Sequence, residues 1–396
     1  MSIDCKLAFG AISISGENYI KPCCNIDLSE FRKLEHRTGL NSQAMTTLRQ
    51  QLINDIWPAA CKNCQYVESL GSKSMRNIFN ERFENFNIPL VSKVNDNDII
   101  YADIFLSNKC NSKCLTCSPP ASDLWLEEYN YIHDTDYKAQ MFNRSIPQEF
   151  EDFKKLIHTY PNIQDISFIG GEPTIIQPHL RFLEYLISTS KSKNISLSYN
   201  TNLTGFSDYL CELWSNFKQI GVSVSIDGYE KVNEYIRYPF KFSKIDNNLT
   251  QVLQMENVNI GLACTLSLFN VVDVPNLFSY WYDKLAKSVK KDCQPFISTY
   301  INRVTSPNYM NLNLLSLEYR SQAIQQCDNL LEKIEADNLP GSIHSSLVLY
   351  KSFLIEPQNI DWQSLKTLKN FITKSDNFRN RNIKDYLPEL AKELCL

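Results

Sequence analysis

Residues 99–117 read IIYADIFLSNKCNSKCLTC and join an apolar run to a group of three cysteines. The run over 99–106 has the length and composition of a buried strand, and polar turn residues follow it directly. Cys110, Cys114 and Cys117 come next in a C-x3-C-x2-C array. In parallel α/β folds, the loops at the carboxyl ends of strands carry the functional side chains. The stretch therefore predicts such a loop with three thiols on it.

From residue 98 onward the chain repeats a strand-then-helix pattern about six times. Amphipathic segments such as FEDFKKLIHTY (150–160) separate the apolar runs. Repeats of this kind favour parallel strands with right-handed crossovers. The further strand-like runs cover 165–170, 195–200, 222–226, 259–266 and 295–301. We therefore expect an α/β fold with a partial (β/α)6 TIM-like barrel over 98–309, although a doubly wound sheet fits the same pattern. The flanks are an N-terminal region over 1–97 and a mainly helical C-terminal region over 310–396.

The composition is that of a globular protein of one or two domains, with 396 residues, 43% hydrophobic and 21% charged. A net charge of −4 and a pI near 5.8 exclude a strong overall attraction to nucleic acid or anionic membranes, so neither partner is expected. No run approaches 18 apolar residues, and no basic segment precedes an apolar stretch at the start. We therefore expect no transmembrane helix, no signal peptide and a cytoplasmic protein.

The chain has 13 cysteines, an odd number, in a length that needs no disulfide staples. In a reducing compartment, clustered cysteines indicate metal or redox chemistry. Three thiolates on one loop can hold three irons of a [4Fe–4S] cube and leave the fourth iron open for a small molecule. A zinc loop is the alternative, but zinc normally takes four protein ligands. No fourth cysteine lies nearby, and the closest imidazole, His133, is in a predicted helix well past the loop.

A second group of cysteines precedes the predicted barrel: Cys5, the adjacent pair Cys23-Cys24, and Cys61-x2-Cys64. A CxxC pair with two cysteines upstream can close a four-thiolate site, which suits zinc as well as an iron–sulfur cluster. Only one of the adjacent pair is expected to bind, because neighbouring thiolates rarely reach one metal ion with good geometry. The remaining cysteines are single, in apolar or helical settings, and are expected to be ordinary thiols: Cys211, Cys264, Cys293, Cys327 and Cys395.

The cysteine array and the segments after it resemble the radical S-adenosylmethionine (SAM) superfamily. The array is similar to the superfamily's cysteine signature, and the second predicted strand ends in a match to its GGEP motif, Gly170-Gly171-Glu172-Pro173. The resemblance implies a [4Fe–4S] cluster on the C-x3-C-x2-C array that binds SAM. It implies reductive cleavage of SAM to a 5′-deoxyadenosyl radical, which abstracts a hydrogen from a substrate. An external electron donor such as flavodoxin or ferredoxin is implied as well.

The same resemblance implies which residues contact SAM. The backbone of the GGEP segment would receive the SAM amino group, and Thr116 would approach the adenine through its backbone. The other implied contacts are Asn200 at the end of the third strand, Ser225 near the ribose, Asp227, and Arg237 on the SAM carboxylate. Arg suits a carboxylate because its planar fork can bind both oxygens. As alternatives, Asp227 caps the following helix and Arg237 is a solvated cation at a helix end.

The N-terminal cysteine segments resemble those of twitch-domain radical SAM proteins, which are related to SPASM-containing members. This resemblance implies an auxiliary [4Fe–4S] cluster whose ligands are Cys5, Cys23, Cys61 and Cys64, with Cys24 able to replace Cys23. Other positions also match this subgroup: Glu68, Gly71, Ser74, Arg76, Ser122, Trp125, Asp376 and Arg379. The implied substrate is a peptide, a protein or a small molecule. The alternative from another class is a non-catalytic zinc-binding interaction protein on a (β/α) scaffold.

Overall fold

A computed structural model describes residues 3–15, 19–32, 39–69, 73–137, 149–286, 299–337, 341–359 and 361–396. Its strands are β1 (Ala11–Ser15), β2 (Tyr19–Lys21), β3 (Tyr101–Phe105), β4 (Lys113–Cys114), β5 (Asp165–Ile169), β6 (Ser196–Thr201), β7 (Gln219–Ser225), β8 (Arg237–Tyr238), β9 (Val258–Leu266) and β10 (Tyr300–Arg303). Within these ranges no helix is both long enough and apolar enough to cross a membrane.

The helices up to the middle of the chain are α1 (Lys6–Gly10), α2 (Leu28–Arg32), α3 (Gln43–Ile53), α4 (Lys62–Ser69), α5 (Met75–Arg82), α6 (Trp125–His133), α7 (Phe150–Thr159), α8 (Gln177–Ser188) and α9 (Asp208–Trp214). Those that follow are α10 (Lys231–Ile236), α11 (Phe242–Val252), α12 (Val274–Ala286), α13 (Leu317–Ser321), α14 (Ile324–Ala336), α15 (Gly341–Leu354), α16 (Trp362–Arg379), α17 (Ile383–Tyr386) and α18 (Pro388–Glu393). The region after β10 is therefore helical, as expected.

The described strands form a mostly parallel sheet of eight in the order β10-β9-β7-β6-β5-β3-β1-β2, and β4 and β8 form a separate two-stranded ribbon. The pairs β1–β3, β3–β5, β7–β9 and β9–β10 are parallel, whereas β2 runs antiparallel to β1. The predicted α/β class is confirmed, and the six predicted strands lie in the sheet in chain order. The last predicted run is described only from residue 299, and 295–298 lie outside the described residues. Closure into a barrel stays a prediction.

The chain divides into two compact units. The first comprises Met1–Ser107, Asn143–Ser198 and Asn216–Lys218, and the second comprises Asn108–Phe142, Tyr199–Ser215 and Gln219–Leu396.

In the first unit, the predicted N-terminal region adds two strands to the sheet; the sequence indicated a short β-like start there, but not its pairing with β3. β1 pairs in register with β3, with Ser13 opposite Asp103, and the Ser13 hydroxyl donates to the Asp103 carboxylate at 2.7 Å. Arg82, at the end of α5, pairs with Asp165 at the start of β5, 2.5 Å between Nη2 and Oδ2. These buried contacts attach the N-terminal segments to the parallel strands.

In the same unit, α7 and α8 pack together through Phe153 and Phe182, whose rings stack at 4.9 Å. His179 on α8 packs edge-on against Phe168 of β5, with 4.5 Å between ring centroids. His179 is fully buried on α8, whereas His158 on α7 is exposed. Burial disfavours the charged imidazolium and lowers the pKa of His179 to about 3.

The second unit has its own core, to which α12 contributes Phe278 and Trp281, both fully buried. Trp125 of α6 stacks on Phe371 of α16 with 6.5 Å between ring centroids. Among the single cysteines of this unit, Cys264 and Cys327 are buried, Cys211 is half-buried and Cys395 is exposed, and their role as ordinary thiols stays a prediction. Cys293 lies outside the described residues.

The low pKa of His179 predicts a loss of stability in acid. An unfolded histidine titrates near pH 6.5, so between about pH 6.5 and 3 the unfolded state binds a proton that the folded state does not. At pH 5 this costs roughly 2 kcal/mol of unfolding free energy. His179→Phe keeps the ring contact with Phe168 and should remove this fall in the free energy of unfolding at acid pH, as measured by urea titrations at a series of pH values. The exposed His158→Gln serves as control, and equal curves for both variants would refute the assignment.

Candidate functional site

The three cysteines of the C-x3-C-x2-C array lie on one short loop of the second unit, and all three are half-buried. Cys114 is on β4, directly opposite Arg237 of the antiparallel strand β8. The Leu115 amide donates to the Ile236 carbonyl at 2.8 Å, and the Cys117 amide donates to the Cys114 carbonyl at 2.9 Å. The loop is therefore held as a small ribbon rather than as a free connection.

A segment just after the array ties down the loop backbone. Asp123 accepts a hydrogen bond from the Cys110 amide at 3.0 Å, and the Ser122 hydroxyl donates to the Ser112 carbonyl at 2.8 Å. The indole of Trp125 donates to the Cys114 carbonyl at 2.7 Å. Backbone groups on both sides of Cys114 are thus satisfied by fixed side chains, which holds the loop in one conformation.

Asn202, which follows β6, reaches the same loop. Its side-chain nitrogen donates to the Asn111 side chain at 2.8 Å and to the Ser112 hydroxyl at 3.1 Å. Its side-chain oxygen accepts a hydrogen bond from the Thr204 backbone amide at 2.9 Å. Asn202 is buried, whereas Asn200 is exposed on β6. From the sequence, Asn200 and Asn202 were both candidates for a cofactor contact, and only Asn200 was included among the implied SAM contacts. The Asn-x-Thr spacing is the only local signal for it.

Arg237 and Asp227 form a buried ion pair beside the loop, with 2.8 Å between Nε and Oδ2. Arg237 Nη1 lies 3.7 Å from the Cys114 sulfur. The second Asp227 oxygen accepts from the Thr265 amide at 2.8 Å, so Asp227 does not cap α10. The Arg237 side chain is only 12% exposed and is not a solvated cation. Both alternatives from the sequence are therefore wrong. Ser225 is half-buried at the end of β7.

The electrostatics of the loop favour a cationic group at the thiols. Burial raises the pKa of Cys117 to about 12, and the neighbouring Cys114 and Cys110 add to this effect. Burial also opposes the charge on Arg237, but Asp227 and then Cys114 outweigh it and raise the pKa of Arg237. Several thiolates at this loop would repel one another unless a positive charge lay beside them. Thr116 lies half-buried in the turn between Cys114 and Cys117.

The GGEP segment, in the first unit, directly follows β5. Gly170 has a φ of +98° and Gly171 a φ of +23°, which favour glycine. A Cβ on Gly170 would lie 2.7 Å from the Ser107 carbonyl oxygen. The buried Glu172 carboxylate accepts hydrogen bonds from the Thr174 amide and hydroxyl at 3.2 and 2.6 Å, and Pro173 begins a short 3-10 turn. The side chain of Glu172 is thus used locally.

The N-terminal cysteines are brought together in the first unit. Burial raises the pKa of Cys5 to about 11 and that of Cys61 to about 12, and Cys64 adds to both shifts. Burial likewise raises the pKa of Cys23, with added effects from Cys5, Cys24 and Cys61. These mutual effects show that the thiols lie within one another's electrostatic field.

Cys23 and Cys24 differ in their surroundings. Cys23 is half-buried and interacts electrostatically with Cys5 and Cys61. Cys24 is exposed, its sulfur lies 3.6 Å from the sulfur of Met75, and among the other proposed ligands it interacts with Cys64. This contrast favours Cys23 as the residue that belongs with the other thiols.

A partly buried salt bridge supports the N-terminal cysteine group. Arg76 contacts both Glu68 oxygens, at 2.9 and 2.6 Å, and donates to the Asp4 carbonyl at 2.7 Å. The Ser74 hydroxyl donates to Glu68 at 2.6 Å. Arg76 thereby fixes the backbone next to Cys5. Gly71, which sequence comparison placed with these residues, lies outside the described part of the chain.

In the described part of the chain, no group of three or more His, Cys, Asp or Glu side chains is arranged to hold a single metal ion. An iron–sulfur cube differs from such a site because each thiolate binds its own iron.

The chain matches no protein-family model and no curated protein. It is similar to solved structures of SuiB from Streptococcus suis. With SuiB bound to S-adenosylmethionine the identity is 12% over 74% of this chain and 62% of that one, with a TM-score of 0.37. With SuiB bound to the precursor peptide SuiA it is 12% over 88% and 64%, with a TM-score of 0.36.

A third similar structure is the radical SAM methyltransferase TsrM from Kitasatospora setae with cobalamin and a [4Fe–4S] cluster bound, at 11% identity over 52% of this chain and 34% of that one, with a TM-score of 0.35. The chain spans less than two thirds of the length of these three structures. At such TM-scores the likeness carries no argument about function, which depends on the residues of the site itself.

The close approach at Gly170 predicts a large effect of a single methyl group. Gly170→Ala places a Cβ against backbone at a positive φ and should lower the free energy of unfolding by about 2 kcal/mol in urea titrations. Gly39→Ala is the matched control, because a Cβ there meets nothing within 4 Å. It should change stability by less than roughly 1 kcal/mol. Equal effects at the two positions would contradict the described backbone.

Proposed function

We propose that this chain is a radical SAM enzyme. The observation that carries the proposal is the loop of Cys110, Cys114 and Cys117, whose backbone is fixed by surrounding side chains and whose central cysteine faces a buried arginine. Three thiolates hold three irons of a [4Fe–4S] cluster and leave the fourth open, which is the arrangement that a small chelating ligand requires. The hydrogen-bonded loop keeps the three ligands in place before the cluster is inserted.

In this proposal, the groups around the loop bind SAM. Arg237 pairs with the SAM carboxylate, since its Nε is held by Asp227 while Nη1 lies near the Cys114 sulfur. The remaining proposed contacts follow the family resemblance: the backbone of Gly170, Gly171, Glu172 and Pro173 for the amino group, Asn200 and Ser225 for the ribose side, and Thr116 for the adenine.

When bound, the reduced cluster supplies one electron to SAM, which yields methionine and a 5′-deoxyadenosyl radical that takes a hydrogen atom from the substrate. The electron comes from an external donor of the flavodoxin or ferredoxin kind. The residues of this chain bind and orient the two cofactors and exclude water from them. No side chain has to act as an acid or base in this first step, so we assign no catalytic side chain.

We further propose an auxiliary [4Fe–4S] cluster on Cys5, Cys23, Cys61 and Cys64. Support comes from the mutual electrostatic effects of these thiols and from the Glu68–Arg76 salt bridge that anchors the backbone beside Cys5. Such clusters require free thiols, which agrees with a reducing cytoplasm. We propose a peptide or protein as the substrate, ahead of a small molecule, on the basis of the twitch and SPASM resemblance.

Removal of the central cysteine tests the main proposal. Anaerobically reconstituted wild-type protein should contain roughly eight Fe per chain, and Cys114→Ala roughly four. With SAM and dithionite, the wild type should form 5′-deoxyadenosine and Cys114→Ala should form none above background. Cys211→Ala, which removes a half-buried thiol on α9, is the control and should behave like the wild type.

Two outcomes would overturn the proposal: two zinc ions and no iron in the wild type, or equal 5′-deoxyadenosine formation after Cys114→Ala. The first outcome would favour the zinc-binding interaction protein.

The auxiliary cluster has a matched pair of tests in the adjacent cysteines. Cys23→Ala should lose roughly half of the iron, since it removes a proposed ligand, and should still form 5′-deoxyadenosine. Cys24→Ala should keep the full iron content, because this thiol is exposed and lies against Met75. Iron and sulfide analysis of both variants decides the assignment. The opposite pattern, with iron lost only from Cys24→Ala, would transfer the ligand role to Cys24.

A further inference from the structure

The last turn of α16 carries a fully buried arginine that reaches the cysteine loop. Arg379 Nε contacts both oxygens of Glu128, at 2.8 and 3.1 Å, and neither side chain is exposed. Arg379 Nη2 donates to the Lys113 carbonyl at 2.7 Å. Lys113 is the residue before Cys114 on β4. A single guanidinium thus joins α6, α16 and the strand that carries the central cysteine.

The residues just after Arg379 contact the end of α10, which leads directly into the other strand of the ribbon. Arg381 Nη1 donates to the Tyr235 carbonyl at 2.6 Å, and its guanidinium stacks 3.8 Å from the centre of the Tyr235 ring. The Tyr235 hydroxyl donates to Asp376 at 3.0 Å. Tyr235 lies two residues before Arg237, which is opposite Cys114. The guanidinium groups of Arg379 and Arg381 also lie 5.0 and 5.8 Å from the ring of Tyr238 on β8, so the end of α16 and the residues after it contact both strands of the β4–β8 ribbon.

Burying the guanidinium groups of Arg379 and Arg381 costs free energy, so we ask which part of the structure their contacts fix in place. Burial of a guanidinium is unfavourable, and it lowers the pKa of Arg381 to about 10. The Glu128 carboxylate alone would balance the charge of Arg379, yet the Arg379 guanidinium also donates a hydrogen bond to the Lys113 carbonyl of the loop. Its planar fork suits this double contact, whereas the ammonium of lysine is a point charge. The guanidinium also lies 5.3 Å from the ring of Trp125, whose indole binds the Cys114 carbonyl.

We propose that the end of α16 is a clamp that positions the SAM-binding cluster. Arg379, through the Lys113 carbonyl, and Arg381, through the Tyr235 carbonyl, set Cys114 against Arg237. Both are positioning residues, because they act through the ribbon and touch no reacting atom. The inference rests on the proposed function, since the cluster is what the ribbon would hold.

The test begins with the protein before reconstitution. Arg379→Lys retains the positive charge but loses the fork, so it should release the Lys113 carbonyl. Hydrogen–deuterium exchange in residues 110–117 and 235–238 should become about tenfold faster. The rest of the chain should exchange as in the wild type. Lys374→Ala is the control, because Lys374 lies on the same helix but binds Asp134 and the Ile132 carbonyl.

The second readout follows the cluster itself. This readout uses a Cys61→Ala background, which removes a proposed auxiliary ligand. After reconstitution, the electron paramagnetic resonance spectrum of the reduced cluster should differ between the Cys61→Ala protein that also carries Arg379→Lys and the Cys61→Ala protein that keeps Arg379. A purely structural role would reduce the iron content without altering that spectrum. Should Arg379→Lys fail to fold, Arg381→Lys provides a second variant, which removes the contact with the Tyr235 carbonyl at the end of α10.

The outcomes separate the two proposals. If the wild type binds iron and cleaves SAM while Arg379→Lys matches Lys374→Ala in exchange and in spectrum, the clamp is refuted and the proposed function stands. If the wild type takes up no iron, the proposed function fails, and the cluster-positioning role fails with it. Faster local exchange together with an altered spectrum supports the clamp.

Discussion

The buried pair of Asp227 and Arg237 is the interaction on which the candidate site depends. Burial of two charges is unfavourable unless each is compensated, and here the second Asp227 oxygen accepts the Thr265 amide while Asn270 donates to the Asp227 carbonyl at 2.6 Å. The pair places a permanent cation beside the central cysteine of the loop. A group of converging thiols, which repel one another when ionised, gains from that positive charge.

Around this pair, the loop is held through its backbone and through the side chains of Asn111 and Ser112, which bind Asn202. Carbonyls and amides on both sides of Cys114 bind Trp125, Arg379, Asp123 and the neighbouring strand β8. A loop at the end of a strand is usually mobile, but a loop whose polar groups are satisfied by buried side chains is not. The sulfur atoms make contacts of their own: the Ser112 amide lies 3.4 Å from the Cys110 sulfur, Arg237 Nη1 lies 3.7 Å from that of Cys114, and the Cys117 sulfur lies 3.8 Å from the Ser118 carbonyl.

Much of the architecture was predictable because its signals are local. Apolar runs and helical spacing placed five of the sheet strands close to their observed bounds, for example residues 165–170 against the strand Asp165–Ile169. Local patterns did not show that β1 joins β3 or that β2 closes that edge, since strand pairing depends on contacts between distant segments. The same limit applied to Asn202, which binds Ser112 across 90 positions of chain.

The amino-acid sequence by itself determined the order of strands and helices and the spacing of three cysteines on one loop, because periodicity and short spacing act within a few residues. Only the tertiary structure decided what surrounds those cysteines. Arg237 meets Cys114 across 123 positions, and Arg379 reaches Lys113 across 266. No local pattern encodes such pairs, since folding alone brings the segments together and burial decides which polar groups must find each other.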